Sequence, residues 1–232
     1  MRFSKWHALG NVYLLAEQAE LTAERVRDVV GDTDGIVEVV FAADEEAEVR
    51  IWNPDGSLAE MSGNATRIAA AWLADRSGAA AVRIRVGTLV VETRVLGDDE
   101  FEQDMGEVAV FAAENVDGIE FTPVVVGNPH AVVVGDPDEL SRIGPLLETH
   151  PRFPNRTNVQ VARADRAGEV TARVWERGVG ETTASGTSAV AVAAAVFGDG
   201  ITTVHFPGGD LLVRIENGRA YLTGPAERLD DD

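Results

Sequence analysis

The sequence predicts a mixed α/β protein made of two similar lobes, and three observations carry that expectation. Alternating or β-branched apolar runs are interspersed with helix-like stretches in both halves of the chain. Arg50 and Arg173, Trp52 and Trp175, Ser62 and Ser185, and Gly63 and Gly186 are all separated by the same 123 residues. Each Ser-Gly pair follows a strand-like segment and precedes an apolar run of helical character, Ile68 to Ala74 in the first half and Ala189 to Phe197 in the second. Two such lobes related by a pseudo-two-fold put corresponding turns face to face.

Residues 1–16 read as a strand, a tight turn at Gly10-Asn11 and a second strand from Val12 to Ala16, because Gly and Asn both tolerate positive φ. Leu21 to Val30 has helical spacing, with Thr22 as N-cap and Gly31 as the stop. Strands are expected over 35–41, 49–53, 82–86 and 89–95. The second half repeats the scheme: Phe121–Val126 as a strand, Gly127-Asn128-Pro129-His130 as a turn, Ala131–Val134 returning, and Leu140 to Glu148 as a short helix. Asn158–Ala162 and Glu169–Trp175 are strands, after which a helix opens near Ser185. Gly127-Asn128 answers Gly10-Asn11 at an offset of 117 rather than 123.

At 232 residues and 45% hydrophobic content the chain can bury a substantial core. Its longest uninterrupted apolar run, Ala189 to Phe197, is far short of the ~20 residues that span a bilayer, so no membrane partner is expected. The N-terminus lacks a secretory layout, which makes the cytoplasm the expected location. There is no cysteine, and His7, His130, His150 and His205 are scattered, so no metal site is expected. A net charge of -19, with 39 acidic against 20 basic residues, argues against nucleic acid as a partner. Lys5 is the only lysine. The acid excess fits life in concentrated salt; a GC-rich coding preference accounts for the missing lysine but not for the acid.

The Ser-Gly turns carry the chemistry. A helix start leaves N–H groups unpaired and partially positive, which makes it a seat for a carboxylate. If the two turns face one cleft, they can fix a carboxylate from both sides and place one side chain on each face of the adjacent carbon, an arrangement suited to inverting a stereocentre. Each serine taken alone reads first as an N-cap, and it is the matched pair that argues for more.

At these residues the chain resembles the diaminopimelate epimerases, pyridoxal-phosphate-independent enzymes of the lysine and cell-wall precursor pathway. The resemblance runs through Phe3 to Asn11, Arg50 to Ser57, Glu60 to Asn64, Gly127-Asn-Pro-His130, Arg152 to Asn158, Trp175 to Thr182, Ala184 to Thr187 and Pro207-Gly-Gly209, in order along nearly the whole chain. It implies two α/β lobes, each a curved mixed β-sheet wrapped around a central helix, with the site between them. The first lobe would take residues 1–113 with 219–232 returning to it, and the second 114–218. It also implies a homodimer, no cofactor and a diaminopimelate-like amino-acid substrate. By the same resemblance, Asn11, Asn53, Asn128, Asn158, Glu176 and Arg177 would hold the substrate. The backbone of Gly63-Asn64 and Gly186-Thr187 would cradle the reacting carboxylate, and His130 and Glu176 would support proton transfer. An Arg fork suits a planar carboxylate, and a glutamate answers an ammonium.

One departure decides how much activity is inherited: the family's two acid/base cysteines are here Ser62 and Ser185. A thiol ionises near pH 8.5 and an alcohol nearer the value for water, about 15.7, so the base costs roughly 7 more pKa units, or about 10 kcal/mol. His130 would have to act as base through Ser62, and the sequence offers no equivalent partner for Ser185. Three readings follow: a diaminopimelate epimerase of weak or no turnover, a related isomerase or racemase of another amino acid, and a non-catalytic amino-acid-binding paralogue.

Overall fold

The structure, a computed structural model, describes residues 2–59, 61–97 and 99–229. Glu60 of the Glu60–Asn64 segment, and Met1 and residues 230–232 at the ends of the expected first lobe, lie outside the described residues. The chain divides into two compact units, Met1–Asp104 with Thr223–Asp232, and Met105–Leu222.

Unit 1 contains β1 (Arg2–Ala8), β2 (Asn11–Glu17), α1 (Ala23–Val29), β3 (Gly35–Ala42), β4 (Glu46–Trp52), β5 (Leu58–Ala59), α2 (Gly63–Ser77), β6 (Ala81–Val86) and β7 (Leu89–Val95). β8 (Glu100–Glu107) then crosses the boundary between the units. Unit 2 contains β9 (Ala109–Val110), β10 (Glu114–Val116), β11 (Ile119–Val126), β12 (Asn128–Val134), α3 (Leu140–Glu148), β13 (Asn158–Arg166), β14 (Glu169–Glu176), β15 (Gly180–Thr182), α4 (Gly186–Val196), β16 (Gly200–Phe206) and β17 (Gly209–Glu216). β18 (Arg219–Pro225) crosses back, and β19 (Glu227–Leu229) pairs with β1.

The two units share one pairing plan. In unit 1, β1–β2 is antiparallel, β2–β3 parallel, β3–β4 antiparallel, β4–β6 parallel and β6–β7 antiparallel. In unit 2, β11–β12, β12–β13, β13–β14, β14–β16 and β16–β17 follow the same order of directions. The register agrees to the residue: Tyr13 faces Gly35 where His130 faces Asn158, and Val37 faces Ile51 where Gln160 faces Val174.

Each sheet encloses one helix. α2 touches β1, β2, β3, β4, β6 and β7, and α4 touches β11, β12, β13, β14, β16 and β17. A sheet that reaches one helix from six strands is curled around it. Both helices are accordingly apolar or small nearly all round, as a helix without a solvent face must be. Asn64 to Leu73 of α2 and Ser188 to Ala194 of α4 are buried without a break, and the alanines let strands approach closely. The opposite sheet face is covered by a shorter helix in each unit. Ile36 and Trp52 pack with Val26 of α1, while Val37 and Val39, on the alternate face, join the core around α2. In unit 2, Leu140, Ile143 and Leu147 of α3 cover Val159 and Val161. Among the described residues, no helix is long and apolar enough to cross a membrane.

Thr22 caps α1 by accepting from the Arg25 amide, and α3 spans the expected residues. Two turns differ from expectation. The first hairpin turns on Leu9 and Gly10, at φ 48° and 80°, and Ala8 pairs with Asn11, so Asn11 begins β2. A two-residue hairpin whose twist matches its strands needs positive φ at both central positions. The Gly10 amide donating to Nε2 of His7 supports the awkward Leu9 conformation. The second turn is Gly127 alone, at φ 71°, with Val126 facing Asn128, so Pro129 and His130 belong to β12.

Candidate active site

The resemblance-derived residues gather around the two helix starts, and each unit holds its own set. In unit 1, Ser62 is the N-cap of α2, with extended backbone (φ -145°, ψ 121°). Its Oγ accepts from the Ala65 amide at 3.2 Å. The same oxygen lies 3.4 Å from the Tyr13 hydroxyl. Beside it, Asn64 Nδ2 donates to Asn11 Oδ1 and Asn64 Oδ1 accepts from Arg67 Nη2 at 2.7 Å. Asn11, at the first position of β2, is thereby held against the α2 start. Asn53 follows β4, and its Nδ2 donates to Ser57 Oγ at 2.9 Å.

Arg67 is the keystone of this unit's polar interior. It is fully buried, and among the described residues its partners are neutral: Pro225 O at 2.8 Å, Asn64 Oδ1 and Gln103 Oε1. Burial pulls its pKa down to about 10, which leaves the guanidinium charged at neutral pH.

In unit 2, Ser185 occupies the equivalent N-cap of α4 (φ -149°, ψ 129°) but makes no side-chain cap bond. The Glu176 carboxylate beside it accepts from Thr182 Oγ1 at 2.6 Å and is near enough to feel the Ser185 hydroxyl. Burial raises the Glu176 pKa, and the hydrogen bonds from Thr182 and Ser185 offset only part of that. A carboxyl that holds its proton more readily than usual, on a serine at a helix start, is equipped to pass a proton in either direction. Glu176, which the resemblance gave as a support for proton transfer, thus lies near Ser185, nine residues upstream of it across a turn.

His130 is 1% exposed, and both ring nitrogens are occupied, Nε2 by Asn128 Oδ1 at 2.7 Å and Nδ1 by Gln160 Nε2 at 3.0 Å. Burial pulls its pKa down to about 3, Gln160 opposes this and the Arg177 charge adds to it. The imidazole is neutral at physiological pH and orients Asn128. Gln160 Nε2 also donates to Ser188 Oγ, which ties β12 through β13 to the first turn of α4.

Asn158 joins two strands' ends, donating to Pro129 O and accepting from the Arg177 amide at 3.0 Å. The Arg177 guanidinium is exposed, and its recorded contact among the described residues is a carbonyl, Asn155 O at 3.5 Å. The turn carrying Glu176 and Arg177 is fastened by Glu148 at the end of α3. That carboxylate accepts from Trp175 Nε1, the Gly178 amide and Arg156 Nη1 at 2.7, 2.8 and 3.2 Å. Gly144 makes room for the same tryptophan, since a Cβ there would lie 2.8 Å from Trp175 Cγ.

Burial works against ionisation of Glu148, but the bonds from Trp175, Gly178 and Arg156 outweigh it and hold the carboxyl below its ordinary 4.5. A depressed carboxyl pKa contributes stability above the unfolded value that is lost as pH falls through the folded one. Glu148→Gln is therefore expected to cost about 1–3 kcal/mol at pH 7, and the Tm gap to the parent should close below about pH 4. A gap that is constant from pH 7 to pH 3 would contradict this.

Sequence reasoning missed Tyr13, Gln160, Thr182 and Arg67. A signal for Tyr13 was present: the 117-residue offset that pairs Asn11 with Asn128 also pairs Tyr13 with His130. Among the described residues, no group of three or more His, Asp or Glu could hold a metal ion.

Residues 3–111 and 122–229 match the family model described as diaminopimelate epimerase. The diaminopimelate epimerase of Desulforudis audaxviator is 38% identical over 273 residues, covering 100% of this chain and 98% of that protein. That of Synechocystis sp. is 36% identical over 270 residues, covering 99% and 97%. Among solved structures, a phenazine biosynthesis protein of the PhzF family from Enterococcus faecalis aligns with a TM-score of 0.75 at 10% identity, covering 98% of this chain and 96% of that one. A hydroxyproline epimerase from Agrobacterium vitis aligns with a TM-score of 0.69 at 15% identity, covering 98% and 88%. At those identities the structural likeness is one of fold.

Proposed function

The chain belongs to the diaminopimelate epimerase family, and on that premise we propose that it interconverts LL- and meso-diaminopimelate by two-base proton transfer, slowly, with Ser62 and Ser185 at the proton-transfer positions. The observation that carries the reading is the Glu176 carboxyl held by Thr182 Oγ1 at 2.6 Å beside Ser185, which makes no cap bond at the α4 start: a carboxyl whose pKa burial raises, so placed, gives an alcohol the proton partner it lacks by itself. Arg177 and Glu176 supply a cation and an anion for a zwitterionic head. The helix-start amides of Gly63-Asn64 and Gly186-Thr187 supply donors for the reacting carboxylate. His130 acts as a positioning residue for Asn128. We assign the protein to lysine biosynthesis in the cytoplasm, as a homodimer working without a cofactor.

The test is incubation with LL-diaminopimelate in D2O. Binding by calorimetry and α-deuterium uptake above a no-protein control are the expected results. Binding without uptake would make the chain an amino-acid-binding paralogue, and loss of both would remove the diaminopimelate assignment.

A further inference from the structure

We propose that Tyr13 is the proton acceptor for the Ser62 hydroxyl, so that on this side of the reaction a tyrosine–serine relay replaces the family's thiol. The inference rests on the epimerase reading above. Its observation is the 3.4 Å approach of the Tyr13 hydroxyl to Ser62 Oγ, between residues 49 positions apart in the chain.

The surroundings hold both groups in place. Tyr13 is 9% exposed in the middle of β2, with Trp6 opposite it on β1 and Gly35 opposite it on β3. Gly35 makes the ring's position possible: a Cβ there would lie 2.9 Å from Tyr13 Cε1 and 2.4 Å from Trp52 O. In unit 2 the same register places His130 opposite Asn158, so a polar aromatic side chain recurs at this position, there turned onto Asn128 instead of a serine. The Ala65 amide donates to Ser62 Oγ, which leaves the serine's own proton free to point at the phenol oxygen. The same amide and the α2 N-terminus stabilise negative charge on Oγ.

The step balances without a co-reactant. As the substrate Cα–H bond breaks, its proton forms a new O–H bond at Ser62 Oγ. The original Ser62 O–H bond breaks and its proton goes to the Tyr13 phenolate. The negative charge passes from the phenolate to the substrate α-carbon and its carboxylate. Solvent then takes the proton from Tyr13 and restores the phenolate. On ordinary values a phenol, near about 10, lies between a thiol, near about 8.5, and water, about 15.7, so a tyrosine is a less demanding proton acceptor than an unaided alkoxide.

The experiment compares α-deuterium incorporation into LL-diaminopimelate by the parent, Tyr13→Phe and Tyr13→His, each with kcat and KM resolved and folding checked by circular dichroism. Tyr13→Phe should lower kcat by about 10²-fold with KM unchanged, and Tyr13→His, which restores a proton acceptor, should keep more exchange than Tyr13→Phe. In the Ser62→Cys, Ser185→Cys background the penalty for Tyr13→Phe should be smaller, because a thiol ionises by itself. Equal kcat in the parent and Tyr13→Phe would overturn the relay and leave the epimerase reading intact. So would a parent without exchange whose double-cysteine form exchanges. Failure of every form to bind or exchange would sink the epimerase reading and the relay with it.

Discussion

Ser62→Cys combined with Ser185→Cys is expected to raise α-deuterium incorporation from D2O into LL-diaminopimelate by at least about 10²-fold, and toward 10⁴-fold, the range that one positioned acid/base group contributes. The groups that would hold the substrate are already set by the fold. Asn11 is bonded to Asn64, Asn158 holds the Arg177 amide, and Glu148 fastens the Glu176–Arg177 turn. What the chain lacks is a group on each helix start that ionises near working pH. A thiol supplies it, and beside Glu176 or at the α2 N-terminus its surroundings are otherwise unchanged. Each single variant should gain less than the pair, because inversion needs a proton removed by one group and returned by the other. A double variant that binds diaminopimelate and exchanges no faster than the parent would show that the site was retuned for another ligand.

The second large effect is on stability. Arg67→Ala is expected to unfold unit 1 or lower its stability by about 3–5 kcal/mol, since each buried acceptor left without its donor costs about 1–3 kcal/mol; the loss is a large part of the ~5–15 kcal/mol that holds a typical domain. The guanidinium bonds the carbonyl of Pro225, the side chain of Asn64 and that of Gln103 in one fully buried place. Removing it orphans three acceptors and loosens two elements together, the returning C-terminal strand and the α2 start. Gln103 also reaches Thr66, whose hydroxyl bonds the Ser62 carbonyl, so the disturbance extends to the serine's own backbone. Arg67→Met, which keeps most of the volume, should recover only the packing share of the loss. Thermal unfolding of both variants reads this directly, and a Tm near the parent's for Arg67→Ala would refute the keystone role.

The strands, the helices and the duplication were legible because they rest on periodicity and on repeated residue types. The offsets of 123 and 117 are now seen as shared register, with Gly35 and Asn158 at the same place beside β2 and β12. The hairpin turn was misplaced by one residue because Asn11 looks like a turn former, whereas its side chain serves Asn64 from the first position of a strand. The contacts that matter most to the chemistry were not legible. Tyr13 and Ser62 meet only after β1 to β4 and α2 are assembled, and tyrosine in an apolar strand reads as core. Glu176 was legible by family resemblance as a substrate ligand and as a support for proton transfer, but its bond to Thr182 and the burial that raises its pKa beside Ser185 are encoded by no local pattern.

Of the two serines, Ser62 caps its helix and Ser185 does not. For the exchange of hydroxyl for thiol, the two sites are therefore unequal. At 62 the hydroxyl is retained by helix stability, on the order of 1 kcal/mol for a serine cap, whatever happens to turnover. At 185 no such bond in its own helix resists the exchange. A thiol is therefore expected to cost less stability at 185 than at 62, and Ser185→Cys alone would carry its thiol beside Glu176 while the Tyr13–Ser62 side stays as it is.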